Sequence, residues 1–249
     1  MTEEMAERVE KSAIEGWFRD PPKLIASMDS TPTIGVTRAF VLQWTKFSRL
    51  FPRWVGAIMS NCPQFEILAY QVENLMSEVV RDPSGDANHY ELLTRLGRSV
   101  GLTTEEIESY PTLPEASDMF EWLWTMARDP DWLRGFTAVN GLEILGDRNI
   151  PLNYGVGSGT GLAPEPFAEA LGLEQESLEF FEVSERADEG HGRETVAIIA
   201  KYTQPGREEE ILGVLEESMS RLRAMMEAVW RLAMEIDAGL ENEAGDGQG

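Results

Sequence analysis

The chain has 249 residues, 42% of them hydrophobic, which is enough apolar material for one sizeable core. Its 21 lysines and arginines against 44 aspartates and glutamates give a formal charge of −23. Such a chain repels polyphosphate, so nucleic acid and anionic membrane surfaces are poor partners, and no apolar run approaches the ~18 residues of a membrane span.

Helical periodicity dominates and strand signals are scarce. The start "MTEEMAERVEK" is acidic and lacks the basic-then-apolar layout of a secretion signal. From Thr37 to Phe51, Phe40, Val41, Trp44, Phe47 and Phe51 recur at helical spacing, and Pro52 marks a break or a new first turn. The single cysteine, Cys62, excludes an internal disulfide and, with the N-terminus, leads to an expected cytoplasmic location. A second amphipathic run, Gln64 to Val80, places Ile67, Leu68, Val72, Leu75 and Val79 along one side. "RDPSGD" (81–86) interrupts it, and helix resumes through "NHYELLTRLGRSV" up to Gly101.

"TTEEIE" (103–108) has the form of a short capped helix. Helices are expected at 115–127 and at 130–146, the second opening on Asp129-Pro130. "GDRNIPLNYGVGSGTGLAPEP" (146–166) is the one long loop. Its "GVGSGTG" lacks a preceding strand and a following Lys-Ser/Thr pair, so it reads as a connection or lid, not a phosphate cradle. Helix returns near 174–203, and a last one spans about 207–239, with "PGREEE" placing acid at its positive end. Ile211, Leu215, Leu222, Met225, Met226, Val229, Leu232 and Ile236 mark the buried side of that helix. The expected fold is all-α: one bundle of roughly seven main helices over 1–240, with 241–249 a disordered acidic tail.

The chain's two histidines are the sharpest chemical candidates. His89 follows Glu78 by eleven positions, about three turns plus 20°, so both share a face if helix persists. Pro83 and Gly85 interrupt it, and an unwound segment could equally bring the two together. Ser184, Asp188 and His191 are spaced by four and three, which places them on one helical face flanked by Phe180, Phe181, Ala187, Thr195 and Ile198. A carboxylate and an imidazole from each of two helices is how bundle cores assemble carboxylate-rich metal sites, and that donor set suits Fe(II) or Mn(II). Glu143, amid Leu142, Ile144 and Leu145 in "NGLEILGDR", is a candidate third carboxylate. The competing reading is a pair of ordinary structural or solvated histidines in an acid-rich chain.

The segment "ENLMSEVVRDPSGDANHYELLTRLGRSVGL" resembles the part of the haem-oxygenase-like non-haem iron oxidases in which an Asn-Leu pair precedes a metal-binding Glu and a break leads to a His. "FFEVSERADEGHG" is similar to the later segment of that family, usually Phe-Phe-x-x-His-x-x-x-Asp-x-x-His, and Glu143 occupies the place of the carboxylate between them. The resemblance covers about residues 37–235 in helix order and implies a seven-helix haem-oxygenase-like bundle without haem. Members hold two irons and activate O2 for N-oxygenation, desaturation or carbon–carbon cleavage of amino acids and fatty acids.

By position, Glu78, His89, Glu143, Asp188 and His191 match the ligands, and Ser184 stands where the family has a histidine. That departure puts the second iron in question, so one or two irons are expected. Gln43, Trp44, Phe47, Ser48 and Tyr70 lie on the early helices that pack over the metal, where they either line a substrate pocket or make ordinary interhelix contacts. Relatives of the same fold fit less well. Thiaminase-II-like enzymes need a nucleophilic cysteine, and Cys62 in "MSNCPQF" reads as a buried helix-end residue. Pyrroloquinoline-quinone-synthase-like enzymes meet an anionic substrate with several His and Arg, unlike this chain. The expected protein is therefore an O2-using iron oxidase or oxygenase of an amino acid or small organic acid, homodimeric by resemblance. The alternative is a catalytically altered or metal-free bundle acting as a scaffold or cofactor-independent enzyme.

Overall fold

The computed structural model describes residues 2–81, 85–157 and 159–246, apart from the side chains of 187–189 and 244–246. Every regular element in it is helical. Helix α1 (Thr2–Ala13) passes through a π turn (Ile14–Phe18) to α2 (Lys23–Met28), a region whose periodicity had marked no element. Helix α3 spans Ile34–Asn61 without interruption, so Pro52 ends nothing. An internal proline costs about 3 kcal/mol. Burial of Phe51, Trp54, Val55 and Ile58 beyond and around it, with Trp54 against Phe120 and Trp124, outweighs that cost.

Helix α4 (Phe65–Leu75) runs into a π turn (Met76–Val80), and α5 (His89–Ser99) follows the break. Helix α6 (Thr104–Ser109) carries the expected capping box between Thr103 and Glu106. Helix α7 is Pro114–Ala127, and α8 (Trp132–Val139) is capped by Asp131, two residues after the expected Asp129. It tightens into a 3₁₀ segment, Asn140–Leu145. The expected long loop contains α9 (Asn149–Asn153) and leads into α10 (Glu165–Leu171). Helices α11 (Gln175–Tyr202) and α12 (Glu208–Asp246) complete the chain, and α12 carries helix past residue 240 through a glutamate- and alanine-bearing sequence.

Helix α12 packs on α3, α7 and α8, and its predicted apolar face from Ile211 to Leu232 is buried. Its Asp237 accepts a hydrogen bond from Gly35 N at 2.8 Å, where a Cβ would lie 2.4 Å from the Ala233 carbonyl. Glycine thus permits the N-terminus of α3 to meet α12.

The apolar side expected for Gln64 to Val80 is only partly buried: Ile67 lies in the core, with Leu68 and Leu75 packed against it. Val72 is 49% and Val79 55% exposed, whereas Gln71, Asn74 and Ser77 are buried. Gln71 and Asn74 face inward to buried partners on the 3₁₀ segment, Asn140 and Glu143.

Candidate metal centre

The bundle encloses a cavity of about 140 Å³. One wall is aromatic and aliphatic, including Trp17, Met28, Phe40, Trp44, Phe47 and Phe51. The other gathers Asn74, Glu78, His89, Glu143, Ser184 and His191. No lysine or arginine is among the described lining residues.

The helical break, not a shared helical face, brings Glu78 and His89 together. Glu78 sits in the π turn that ends at Val80, and His89 opens α5 directly after the Asn88 cap, whose side chain accepts from Glu91 N. His89 Nδ1 then lies 2.8 Å from Glu78 Oε1, with both side chains mostly buried. A π turn widens the helix by one residue and shifts the side chains after it, a distortion frequent at functional sites.

Glu143 is placed by the tight 3₁₀ segment and fixed by three neutral donors. Asn74 Nδ2 and Asn140 Nδ2 donate to its Oε1 at 2.6 and 3.0 Å, and the Tyr70 hydroxyl donates to Oε2 at 2.7 Å. Burial pushes the carboxyl above the ordinary range, while His191 and these three donors pull it back towards the anion. Burial and the Glu143 charge hold the Tyr70 proton firmly on oxygen. Since that proton goes to Glu143, the Thr195 hydroxyl is the donor in its 3.0 Å contact with Tyr70. Behind them Gln71 and Asn140 exchange amide hydrogen bonds at 2.7 and 3.2 Å, both wholly buried.

Helix α11 contributes Ser184, 6% exposed, and His191, whose ring meets that of Tyr70 edge-on at 5.9 Å. The side chain of Asp188 lies outside the described residues. A Cβ at Gly192 would fall 2.5 Å from Asp147 Cβ and 3.2 Å from the Glu143 carbonyl, so glycine lets α11 approach the 3₁₀ segment beside His191. Among the described residues, no three His, Cys, Asp or Glu side chains converge closely enough to hold one metal ion.

Of the proposed substrate contacts, Trp44 and Phe47 line the cavity and stack at 4.5 Å. Gln43 does not, because its amide donates to Pro111 O and accepts from Leu113 N, tying α3 to the start of α7. Tyr70 is not a lining residue either but stands behind Glu143. Cys62 caps the end of α3, buried, with its thiol pKa pushed up by that burial, which disfavours a nucleophilic role. Gln71 and Asn140 were not singled out in the sequence, and Asn74 only as half of the Asn-Leu pair; its further signal is the i, i+4 series Tyr70, Asn74, Glu78, a polar stripe on a helix otherwise read by its apolar residues.

A family model described as iron-containing redox enzyme matches residues 38–226. The chain belongs to that family. Within the iron-containing redox family match lie all six residues of the cavity's polar wall. A 4-aminobenzoate synthase of Chlamydia pneumoniae is 26% identical over 171 residues, 69% of each chain. Among solved structures, a TenA homologue of Pseudomonas syringae pv. tomato superposes with a TM-score of 0.69 at 13% identity, covering 92% of this chain and 91% of its own. A haem-oxygenase-like domain of unknown function from Shewanella denitrificans gives 0.65 at 13% identity, covering 95% and 93%. A TenA homologue of P. horikoshii gives 0.66 at 15% identity, covering 92% and 99%. These likenesses establish the haem-oxygenase-like fold of this iron-containing redox family member.

Proposed function

We propose that the chain is a non-haem iron-dependent oxidase or oxygenase that uses O2 to oxidise an amino acid or related small organic acid. The observation that carries this reading is the lining of the cavity: among the described residues, two carboxylates and two imidazoles face it and no lysine or arginine does. Buried anions without basic side chains call for a cation, and carboxylate with imidazole suits Fe(II) or Mn(II). In donor type, then, the residues fit iron.

Glu78, His89, Glu143 and His191 would hold it, with Asp188 joining them from α11. Bound iron would supply the binding and activation of O2 that no amino-acid side chain provides. The chain's own residues do the rest. The Glu78 carboxylate lies at the His89 Nδ1 edge and sets the orientation of that ring. Tyr70, Asn74 and Asn140 aim the Glu143 carboxylate and offset part of the burial that disfavours its anion. The aromatic wall excludes water from the reacting end of the substrate. The name of the chlamydial relative agrees with a biosynthetic role on a small amine or acid.

Aerobic incubation with Fe(II), a reductant and a panel of amino acids, followed by mass spectrometry, tests the reading. Iron-dependent products that carry added oxygen, lose hydrogen or are shortened by carbon–carbon cleavage are expected. Identical product profiles with iron and with chelator would contradict it.

Ser184 favours a second reading, a bundle that keeps the fold but has lost one iron or all metal chemistry. The two separate in Ser184→His. A rise in iron stoichiometry places position 184 among the ligands, and no iron in either protein supports the metal-free bundle.

A further inference from the structure

The aromatic wall of the cavity holds one polar side chain whose hydrogen bonding is unfulfilled. Phe40, Trp44, Phe47, Ser48 and Phe51 lie along one face of α3 and line the cavity together. Ser48 is 6% exposed, and its Oγ has no hydrogen-bond partner among the described residues. Buried hydroxyls in helices ordinarily bond back to the carbonyl one turn earlier. Thr45 does so to Val41 O at 2.8 Å, Thr94 to Tyr90 O at 2.9 Å and Thr203 to Ile199 O at 2.7 Å. Ser48 does not. Pro52, four residues on, also withholds the N–H that would take the Ser48 carbonyl. Thr160, the other lining hydroxyl away from the carboxylate wall, is already used as an acceptor by Leu162 N at 3.3 Å. A buried, unmet hydroxyl costs stability unless something else meets it.

We infer that Ser48 is a specificity-determining residue whose hydroxyl hydrogen-bonds a neutral polar group, a hydroxyl or amine, on the apolar end of a small flat substrate. The inference rests on the proposed reading of this cavity as the substrate's. The aromatic side chains of α3, with Trp17 and Phe180, accept a flat apolar body. No lysine or arginine is among the described lining residues, so a carboxylate finds no counter-charge at this end and a neutral polar group is favoured. Ser48 then distinguishes a substrate bearing a hydroxyl or amine from its bare hydrocarbon analogue, because a site that pairs a polar group rejects the ligand that lacks it.

The test uses the full chain with chelator present, so that metal coordination contributes nothing, and phenol, toluene and benzoate as probes in ligand-observed NMR titrations. Phenol is expected to bind more tightly than toluene, and benzoate more weakly than phenol. Ser48→Ala should weaken phenol roughly five- to tenfold and leave toluene unchanged. Its thermal midpoint should stay level or rise, since no internal hydrogen bond is lost. Equal losses for phenol and toluene, no loss for either, or a fall of several degrees in the midpoint would each overturn the inference. Ser48→Cys keeps the volume with a weaker donor and should lie between the two. Failure of Fe(II) binding with Ser48-dependent phenol binding intact would sink the iron reading alone. Normal iron binding with no phenol preference would sink this inference alone.

Discussion

The Gln71–Asn140 amide pair is the structural keystone behind Glu143, and removing half of it should be costly in a specific way. Asn140 is wholly buried and makes three hydrogen bonds, two exchanged with Gln71 and one donated to Glu143. Asn140→Ala strands both ends of the Gln71 amide, at about 1–3 kcal/mol per unmet group, and removes one of three donors from Glu143. The expected loss in urea denaturation of the metal-free chain is about 3–5 kcal/mol. With Gln71→Leu already present, the same substitution strands nothing on that side and should cost only about 1–2 kcal/mol. The double-mutant cycle therefore predicts a coupling of about 2 kcal/mol. If the two losses add within ~0.5 kcal/mol, the amides are independent and the account of why α4 turns its polar side inward is wrong.

Two further outcomes follow from close contacts in the fold. Gly192→Ala forces a Cβ to 2.5 Å from Asp147 Cβ, so α11 must move away from the 3₁₀ segment. Iron affinity should fall at least tenfold while helix content by circular dichroism holds, and unchanged affinity would show that this contact does not position His191. Asp29, whose Oδ1 accepts from Gly161 N at 2.9 Å, has its carboxyl pushed up to about 6, chiefly by burial. A raised folded-state value means the folded chain holds the proton more tightly, so stability from this group is full in acid and lost as pH rises through about 6. Asp29→Asn keeps the acceptor and should match the parent at pH 4 but exceed it at pH 7 in thermal denaturation. Equal stabilities at pH 7 would refute the burial argument.

Much of the architecture was legible because helix period and turn chemistry are local. The capping box at Thr103, the break between Val80 and His89 and the buried face of α12 follow from spacing and turn residues alone. The all-α haem-oxygenase-like class follows from them together with the short motifs. Glu78, His89, Glu143, Ser184 and His191, singled out by residue type and motif position, do reach one cavity.

What was not legible depends on partners distant in sequence. The run Gln64 to Val80 put Val72 and Val79 on one side with Ile67; Ile67 is buried, but the amide of Asn140 and the carboxylate of Glu143 draw Gln71 and Asn74 inward and leave Val72 and Val79 exposed. Pro52 looked like a boundary because its cost is local, whereas the aromatic contacts of Trp54 that override it are tertiary. The π turn at Glu78 and the 3₁₀ segment at Glu143 carry no motif of their own, so helical arithmetic alone could not choose between a shared face and the unwound segment that brings Glu78 to His89. Of the two roles open to Gln43, the structure shows the interhelix one, set by carbonyl and N–H groups about 70 residues away.

The central claim is that the carboxylate and imidazole wall of this cavity binds iron. Anaerobic titration of the chelator-treated chain with Fe(II), read by isothermal calorimetry and by metal content after desalting, tests it directly. At least one Fe(II) per chain is predicted, with Glu143→Ala and His191→Ala each weakening binding by about 10-fold or more while remaining folded. A folded parent chain that retains no iron, or one whose iron binding is indifferent to both substitutions, would contradict it.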